Sequence, residues 1–391
     1  MSKKALYNHV VQKMIDYVDE KKTDMAEDTM SVPTTAYTDQ EGWHQEMDLI
    51  FKNRPIFIAL SQELPKPGDY KTIQFLDKPL LITRTADGSA RVMLNVCPHR
   101  AMQVAIDEYG SRSRFTCQYH GWSFRNNGDL IAVADRDKFG EVDKSCHGLT
   151  QLPTYERGGM IFAVLNGDTS VDFEEHLGGM IEDIEQLGFD KWHYCGKRTI
   201  YGANWKIAYD GYLEGYHFAI AHPETVAPRT YSNVMHFENY GPHILLGFPQ
   251  RSIHTLKDVD PDEYWQHEND GFDFIRTIFP NVSIFVAPEI TQIAQIIPGP
   301  TPAENTTHLY FIHHTAPKTD DENQALEEMM EWLRNVVDTE DYYMGLRIQK
   351  GIESGAHSHV MFGRNEKGNQ FFHKWVDYCL ANDPTLPKPT L

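Results

Sequence analysis

Hydrophobic positions near the N-terminus repeat with the period of an α-helix. Apolar side chains three and four residues apart share one helical face, and here they are Val10, Val11, Met14, Ile15 and Val18. A polar linker follows to about residue 38. We therefore predict that residues 1–40 form a helix and linker that pack on another domain of the chain.

The hydrophobic pattern changes in residues 41–157. Short apolar runs, such as residues 57–60, 80–83 and 92–94, are separated by Gly, Pro and Asp-Gly. Such runs between turn-forming residues are typical of strands. This stretch is therefore predicted to be an all-β domain.

The remainder of the chain, residues 158–391, mixes strands and helices. In chain order its pattern predicts a strand at 160–165, a helix at 173–187, a hairpin of 293–297 with 309–314, a helix at 322–337 and a second helix to 354. The predicted fold class is α+β, with an all-β domain followed by this mixed domain.

Composition and charge limit the function. The chain has 391 residues and a net charge of −20, from 36 basic and 56 acidic residues, which argues against nucleic acid or an anionic membrane as partner. No apolar stretch is long enough to cross a bilayer and no signal peptide is evident, so we expect a cytoplasmic protein. Cys146, Cys195 and Cys379 have no disulfide-like spacing, and we expect free, buried thiols.

Two short segments each pair one cysteine with one histidine. They are Cys97 with His99, and Cys117 with His120. In a Rieske [2Fe-2S] cluster two Cys hold one iron and two His hold the other, which suits electron transfer. A structural zinc site is the alternative, although zinc fingers usually pair Cys with Cys and His with His. The segments therefore favour a Rieske cluster.

A second group of polar residues surrounds two further histidines. Glu214 and His217 share a helical face, but on a regular helix His222 would point about 140° away from His217. The helix must end or bulge here, and Pro223 favours an end. With one carboxylate from elsewhere, two such imidazoles would form the facial triad of a mononuclear non-haem iron site.

The order of these motifs resembles that of the Rieske non-haem iron oxygenases, specifically the large (α) subunit of ring-hydroxylating oxygenases. The resemblance covers nearly the whole chain: the Rieske motif, Asn-Trp-Lys at 204–206, then the acidic-x2-His-x4-His motif at 214–222. It implies a Rieske domain at 41–157 and, at 158–391, a helix-grip catalytic domain in which an antiparallel sheet curves round a long helix. Residues 1–40 would pack on the latter.

The resemblance also implies the metal ligands. Cys97, His99, Cys117 and His120 would hold the cluster, and His217 and His222 the iron. The third iron ligand of the family is commonly an Asp that follows a Glu and precedes a Gln by eight residues, which selects Asp341, after Glu340 and before Gln349. An alternative is that Asp338 caps the second helix, with Asp341 at its N3 position, or that Asp338 is itself the ligand.

Two more acidic residues receive roles from the family. Glu214 would link His120 of one subunit to His217 of the next, which implies a trimer. With 391 residues the chain is shorter than many α subunits that have a β partner, which favours an α3 homotrimer and leaves α3β3 open. Asp210 is expected to face the iron cavity, together with Phe218 and the strand at 284–286.

The implied activity is that of a terminal oxygenase component. It would activate O2 at Fe(II), with electrons from the cluster, to hydroxylate an aromatic substrate, most simply by dihydroxylation. Because the chain has no flavin or nicotinamide motif, a separate NAD(P)H-dependent reductase or ferredoxin must supply the electrons. Glu214, where most ring dioxygenases have Asp, keeps open a monooxygenase or demethylase acting on a quaternary amine. A catalytically inactive Rieske electron carrier and a zinc-stabilised binding module are alternatives of other classes.

Overall fold

A computed structural model describes residues 3–287 and 290–391. The chain divides into a smaller unit, residues 51–173, and a larger unit, residues up to 50 together with 174–391. The sequence placed the first boundary at 40 and the second at 157. In the structure the strand Met160–Ala163 pairs with Ile56–Leu60 and so lies in the smaller unit.

The helices, in chain order, are α1 (Lys3–Glu20), α2 (Gln40–Glu46), α3 (Arg136–Phe139), α4 (Phe173–Leu187), α5 (Trp205–Asp210), α6 (Phe218–Ala221), α7 (Asp320–Val336), α8 (Tyr343–Glu353) and α9 (Lys367–Ala381). Among the described residues, no helix combines the length and the apolar character that crossing a bilayer requires.

The strands, in chain order, are β1 (Met30–Pro33), β2 (Ile56–Leu60), β3 (Asp69–Phe75), β4 (Lys78–Arg84), β5 (Ala90–Leu94), β6 (Tyr109–Ser111), β7 (Arg114–Thr116), β8 (Ser123–Arg125), β9 (Leu130–Ala132), β10 (Gln151–Leu152), β11 (Thr154–Arg157), β12 (Met160–Ala163), β13 (His193–Gly202), β14 (His236–Tyr240), β15 (His243–Pro249), β16 (Phe272–Ile278), β17 (Val282–Val286), β18 (Thr291–Pro298), β19 (Asn305–His313) and β20 (His359–Phe362).

The smaller unit is built from antiparallel strands, apart from the short helix α3. Its sheets have the orders β10-β5-β4-β3-β6, β11-β12-β2 and β7-β8-β9. Phe115, Phe124 and Leu81 form a buried apolar core together with Cys97 and Cys117. The predicted β-domain is confirmed, and its core supports the loops that carry both cysteines.

The larger unit contains an antiparallel sheet with the order β13-β19-β18-β17-β16-β15-β14. Its β18–β19 hairpin, which the sequence predicted, pairs Ala294 with Leu309 and Pro298 with Asn305. Met330 and Leu333 of α7 pack in a buried cluster with Phe311 of this sheet. A sheet that packs on long helices is the helix-grip arrangement, so the predicted fold class is confirmed.

The N-terminal helix α1 packs on this sheet, as its apolar face predicts. Tyr7, Val10 and Met14 are fully buried. Met14 lies so close to Gly247 of β15 that a Cβ there would come within 2.9 Å of its sulfur. Asp24, beyond the helix, fixes the end of the segment because its carboxylate accepts a hydrogen bond from the amide of Phe237 at 2.8 Å.

The two C-terminal helices that the sequence predicted are continuous. Helix α7 runs into α8 through a π-helical turn, Val337–Tyr342. Asp338 lies inside this turn and pairs with Arg334 at 3.2 Å. It caps no helix, so the alternative in which Asp338 begins the second helix is wrong: without a break, no free amides are left for it to cap.

Candidate functional site

Two loops in the smaller unit, residues 97–102 and 117–122, have the same backbone fold. In each, the cysteine amide donates to the carbonyl five residues later, and the amide four residues later donates to the cysteine carbonyl, at 2.8–3.0 Å. Ala101 and Gly121 occupy matching positions with φ of 58° and 70°. The two Cys-His segments are thus presented by equivalent turns.

The cysteine thiols of these loops lie together. Cys97 and Cys117 are both buried. Burial raises the pKa of the Cys97 thiol, and Cys117 lies close enough to raise it as well, whereas the amides of His99 and Arg100 oppose this because they donate to its sulfur. Backbone N–H groups aimed at a sulfur are a feature of iron–sulfur sites, where they tune the potential.

The two imidazoles also face each other. The rings of His99 and His120 are 4.6 Å apart between centroids, and His99 stacks on Trp122 at 5.2 Å. Nδ1 of His99 is buried without a hydrogen-bond partner. A buried ring nitrogen without a partner is costly unless it binds something, so the site fits a metal centre.

The spacing of these donors distinguishes a cluster from zinc. A single tetrahedral zinc would hold its four donor atoms within about 4 Å of one another. Among the described residues, the only group of three or more His, Cys, Asp or Glu donors within 4.8 Å lies elsewhere in the chain. The two cysteines and two histidines form no such compact group, which is compatible with donors that surround two irons.

That closely spaced group is formed by His217, His222 and Asp341 of the larger unit. Helix α5 ends at Asp210, and a short helix, α6, follows His217. His222 leaves this helix with φ of −122°. The helix therefore ends, as Pro223 predicted, and the two rings come within 5.1 Å between centroids.

A single carboxylate oxygen lies opposite both rings. Oδ1 of Asp341 is 2.9 Å from Nε2 of His222 and 3.6 Å from Nε2 of His217. Asp341 reaches this point from the π-helical turn of the C-terminal helices. Two imidazoles and one carboxylate are the donor set of a facial triad, which leaves coordination positions open. Asp338 is not part of the group.

Each histidine is oriented by a glutamate on its other nitrogen. Glu214 contacts Nδ1 of His217 and accepts a hydrogen bond from the His217 amide at 3.0 Å. Glu340 contacts Nδ1 of His222 and accepts from Thr225 Oγ1 at 2.6 Å. Such contacts fix the rings of metal ligands. The sequence assigned no role to Glu340, and its position beside Asp341 was the only signal.

The electrostatics of the group favour a cation. Burial lowers the pKa of His217, but hydrogen bonds with Asp341 and Glu214 outweigh this effect and raise the pKa to about 10. The pKa of His222 is likewise raised, and that of Asp341 is lowered by both histidines against the effect of burial. The metal-free residues thus hold a proton tightly at a place where a divalent cation would bind in its stead.

Asp210 is held by a different set of partners. Its carboxylate contacts Nε2 of His373 at 3.0 Å, the hydroxyl of Tyr37 at 3.3 Å and Nδ2 of Asn369 at 3.2 Å. It lines a cavity of about 290 Å³ that also reaches Glu214, His217 and Asp341. Asp210 therefore lies beside the triad but outside it.

A second cavity, of about 190 Å³, is lined by His217, His222 and Asp341 and by residues of the sheet. We call it the sheet cavity because β15, β16, β17 and β18 contribute to its wall. Phe218 lines it, as expected, and so do Ser283 and Phe285. Ile284, in the strand that the sequence proposed as a wall, is fully buried instead, because alternate residues of a strand face opposite sides of the sheet.

Two protein families match the chain. A family described as "Rieske [2Fe-2S] domain" matches residues 54–156, and one described as "Ring hydroxylating alpha subunit (catalytic domain)" matches residues 189–382. The first match spans both Cys-His loops, and the second spans the triad.

Relatives align with most of the chain. The carnitine monooxygenase oxygenase subunit of Acinetobacter baumannii is 29% identical over 82% of this chain and 85% of its own length. The 2-halobenzoate 1,2-dioxygenase large subunit of Burkholderia cepacia is 34% identical, but over 60% of this chain and 49% of its own length. The expectation of an aromatic substrate is not confirmed by these alignments.

A solved structure shares the fold. A quaternary ammonium Rieske monooxygenase in complex with L-carnitine superposes with a TM-score of 0.76 at 24% identity, over 91% of this chain and 96% of that one. The domain order, the two sets of metal donors and both family matches indicate the same family. The chain belongs to the Rieske non-haem iron oxygenases, as a large (α) subunit with a [2Fe-2S] Rieske domain and a catalytic domain that binds mononuclear iron.

Proposed function

We propose that the protein is a Rieske monooxygenase that hydroxylates or demethylates a quaternary amine bound in the sheet cavity. In this proposal Cys97, His99, Cys117 and His120 hold the cluster. His217, His222 and Asp341 hold the iron. The relatives with the longest alignments quoted above act on carnitine, which is itself a quaternary amine.

The observation that carries the proposal is the aromatic wall of the sheet cavity. Phe218, Phe248, Phe285 and Trp332 all line it, and the rings of Phe218 and Phe248 are 5.2 Å apart between centroids. Aromatic faces attract quaternary ammonium groups through cation–π interactions, which strengthen when water is excluded. A cavity of about 190 Å³ suits a small substrate of this kind.

Bound iron would supply reductive activation of O2, with electrons from the cluster. The chain's own residues contribute position and protection. Glu214 and Glu340 keep each Nε2 turned toward Asp341. Phe218, next to His217, covers one side of the triad and would limit the access of water to the bound substrate.

Electron delivery needs other proteins and other copies of the chain. Members of this family work with a reductase or ferredoxin, and we infer an NAD(P)H-dependent one. We also infer an α3 trimer in which Glu214 links His120 of one subunit to His217 of the next. The side chain of Glu214 is 12% exposed and lines the larger cavity, where a partner could reach it.

An aromatic acid is the second candidate substrate. The alignment with the 2-halobenzoate dioxygenase supports it, and the sheet cavity contains Arg229, a residue that binds carboxylates.

A single-turnover experiment tests the proposal. Chemically reduced enzyme would be mixed with O2 and with quaternary amines, aromatic acids or fused-ring hydrocarbons, and products identified by mass. We expect one added oxygen, or a lost methyl group with formaldehyde, from a quaternary amine. A dihydrodiol from an aromatic acid, with no product from any amine, would overturn the proposal in favour of ring dioxygenation.

A further inference from the structure

The sheet cavity has a polar patch in addition to its aromatic wall. The patch consists of Arg229, Asp273 and Gln292. Asp273 lies opposite Phe248 in the sheet, and Gln292 lies opposite Phe285. Because directly paired residues of neighbouring strands share a face, Asp273 and Gln292 point to the same side as the aromatic rings.

Arg229 is held in place within the patch. Its Nη2 donates to Oδ1 of Asp273 at 2.7 Å, and the same oxygen accepts from Gln250 Nε2 at 3.0 Å. The Asp273 side chain is only 7% exposed, whereas that of Arg229 is 41% exposed. An arginine side chain has five N–H donors. Among the described residues, the side chain of Arg229 donates only the bond to Asp273. The other donors remain available.

Gln292 gives an independent sign of a ligand. Its residue surface is 5% exposed, and its Oε1 is buried without a hydrogen-bond partner. A buried amide oxygen that has lost water and gained no partner is costly. Gln292 lines the cavity and its Oε1 can only accept a hydrogen bond, so the missing partner would be a donor such as a hydroxyl group of a bound molecule.

A purely apolar ligand fits this cavity poorly. It would remove water from the Arg229 guanidinium and offer it no hydrogen bond, and unpaired buried polar groups are costly. A ligand with a carboxylate would pair with the free N–H groups of Arg229.

We propose that Arg229 anchors a carboxylate of the substrate, so that the substrate is a zwitterion with a quaternary ammonium at the aromatic wall and a carboxylate at the polar patch. Asp273 positions the guanidinium. This inference rests on the proposed function for the ammonium part only, because the anchor itself would serve any carboxylate of suitable size.

Equilibrium binding to the iron-loaded enzyme without O2 tests the anchor. The probes are γ-butyrobetaine and its methyl ester, which share the ammonium group and differ in the negative charge. Calorimetry should show that wild type prefers the acid and that R229Q weakens its binding about 10- to 100-fold, as expected for a lost charged hydrogen bond. The affinity of R229Q for the ester should differ from that of wild type by less than about 3-fold.

Two further variants keep the result interpretable. R251Q is the matched control, because Arg251 bonds to the Ala227 carbonyl and stacks on Tyr231 and does not line the cavity; it should bind both probes like wild type. R229Q/D273N removes both charges of the pair, so no unpaired carboxylate can destabilise the fold, and it should also lose the preference for the acid.

The outcomes separate the anchor from the proposed function. If the acid and the ester bind equally to wild type, or if R229Q weakens both equally, the anchor is wrong although the enzyme still binds quaternary amines. If neither probe binds but benzoate does, with an affinity that R229Q lowers, the anchor stands and the proposed substrate is wrong.

Discussion

At the scale of single residues, the triad shows what the sequence could and could not predict. His217 and His222 were assigned by the cluster motif and the resemblance to the family, because spacing alone does not distinguish two such histidines from ordinary residues. Asp341 was selected by resemblance to the family, since three acidic side chains within four positions look alike in sequence. The role of Glu340 could not be predicted, because it depends on which nitrogen of His222 faces the helix.

Glu340→Gln should weaken iron binding about 10- to 100-fold, because His222 would lose the carboxylate that orients it. Asp338→Asn is the matched control, since Asp338 pairs with Arg334 on the same turn. Iron per chain, measured by elemental analysis after dialysis, should fall in the first variant only, while the visible absorption of the cluster persists in both. Loss of iron in D338N instead would return Asp338 to the ligand set.

The equivalent loops of the smaller unit make a prediction about stability. Ala101 has φ of 58°, a left-handed conformation that costs an L-residue about 1–2 kcal/mol. Ala101→Gly should therefore raise the free energy of unfolding by up to about 1 kcal/mol, after the entropy that glycine adds to the unfolded chain.

Gly121→Ala is the opposite test at the matching position. Alanine at this position would have φ of 70°, and its Cβ would lie 3.3 Å from Cβ of Ala134. We therefore expect the free energy of unfolding to fall by about 1–2 kcal/mol. Thermal unfolding of A101G and G121A measures both changes in stability. A destabilised A101G would show that the alanine methyl contributes packing that outweighs the strain.

At the scale of elements, the sequence predicted helices well and their joints poorly. The amphipathic pattern placed helices near 322–337 and up to 354, and both exist. It could not show that they join through the π-helical turn, because one extra residue in a turn leaves the hydrophobic pattern on either side unchanged. Yet this turn brings two successive residues, Glu340 and Asp341, to the two nitrogens of one imidazole.

Deletion of Thr339 should abolish iron binding and leave the helices folded. A π-helical turn contains one residue more than an α-helical turn, so removing an exposed residue would restore regular helix and rotate Asp341 relative to Glu340. Thr339→Ala keeps the length and should retain iron. Elemental analysis with circular dichroism distinguishes the two, and a deletion variant that still binds iron would show that the turn is dispensable.

The contacts of Asp24, which attach α1 to the sheet, predict how the stability of the protein changes with pH. The hydrogen bonds of Asp24 with His236, Lys13 and Phe237 lower its pKa against the effect of burial. Asp24→Asn should reduce the free energy of unfolding by about 1–3 kcal/mol and expose the N-terminal segment to protease.

The sign of the pH effect follows from that lowered pKa. The carboxylate contributes fully above the ordinary Asp pKa of about 4, and its contribution is lost as the pH falls toward the lowered value. The difference between wild type and D24N, measured by denaturant unfolding, should therefore be constant near pH 7 and shrink below about pH 4. A difference that grows in acid would contradict this assignment.

At the scale of the whole molecule, charge is divided unequally. Residues 51–173 contain 15 basic and 14 acidic residues, a net charge of +1, so the larger unit carries −21 and the whole chain −20. Two larger units would repel each other, whereas a nearly neutral smaller unit can approach a larger one at little electrostatic cost. The charge distribution is thus compatible with the proposed trimer, in which the cluster of one chain serves the iron of another.

Mixed trimers test this arrangement. C117A should lack the cluster and keep the iron site, and D341A should lack iron and keep the cluster. Co-expressed and purified together through different tags, they should recover measurable product formation from a quaternary amine, although each alone is inactive. If electrons passed only within one chain, the mixed protein would stay inactive.

The contact of His222 with Asp341 joins residues 119 positions apart along the chain. A metal bound there would act as a cross-link that closes a very long loop, and such closure removes much of the freedom of the unfolded chain. Iron would then fasten the C-terminal helices to the loop after α5 as well as serve catalysis. Amide hydrogens of the π-helical turn should accordingly exchange faster when a chelator removes the iron, even where no catalytic residue has changed.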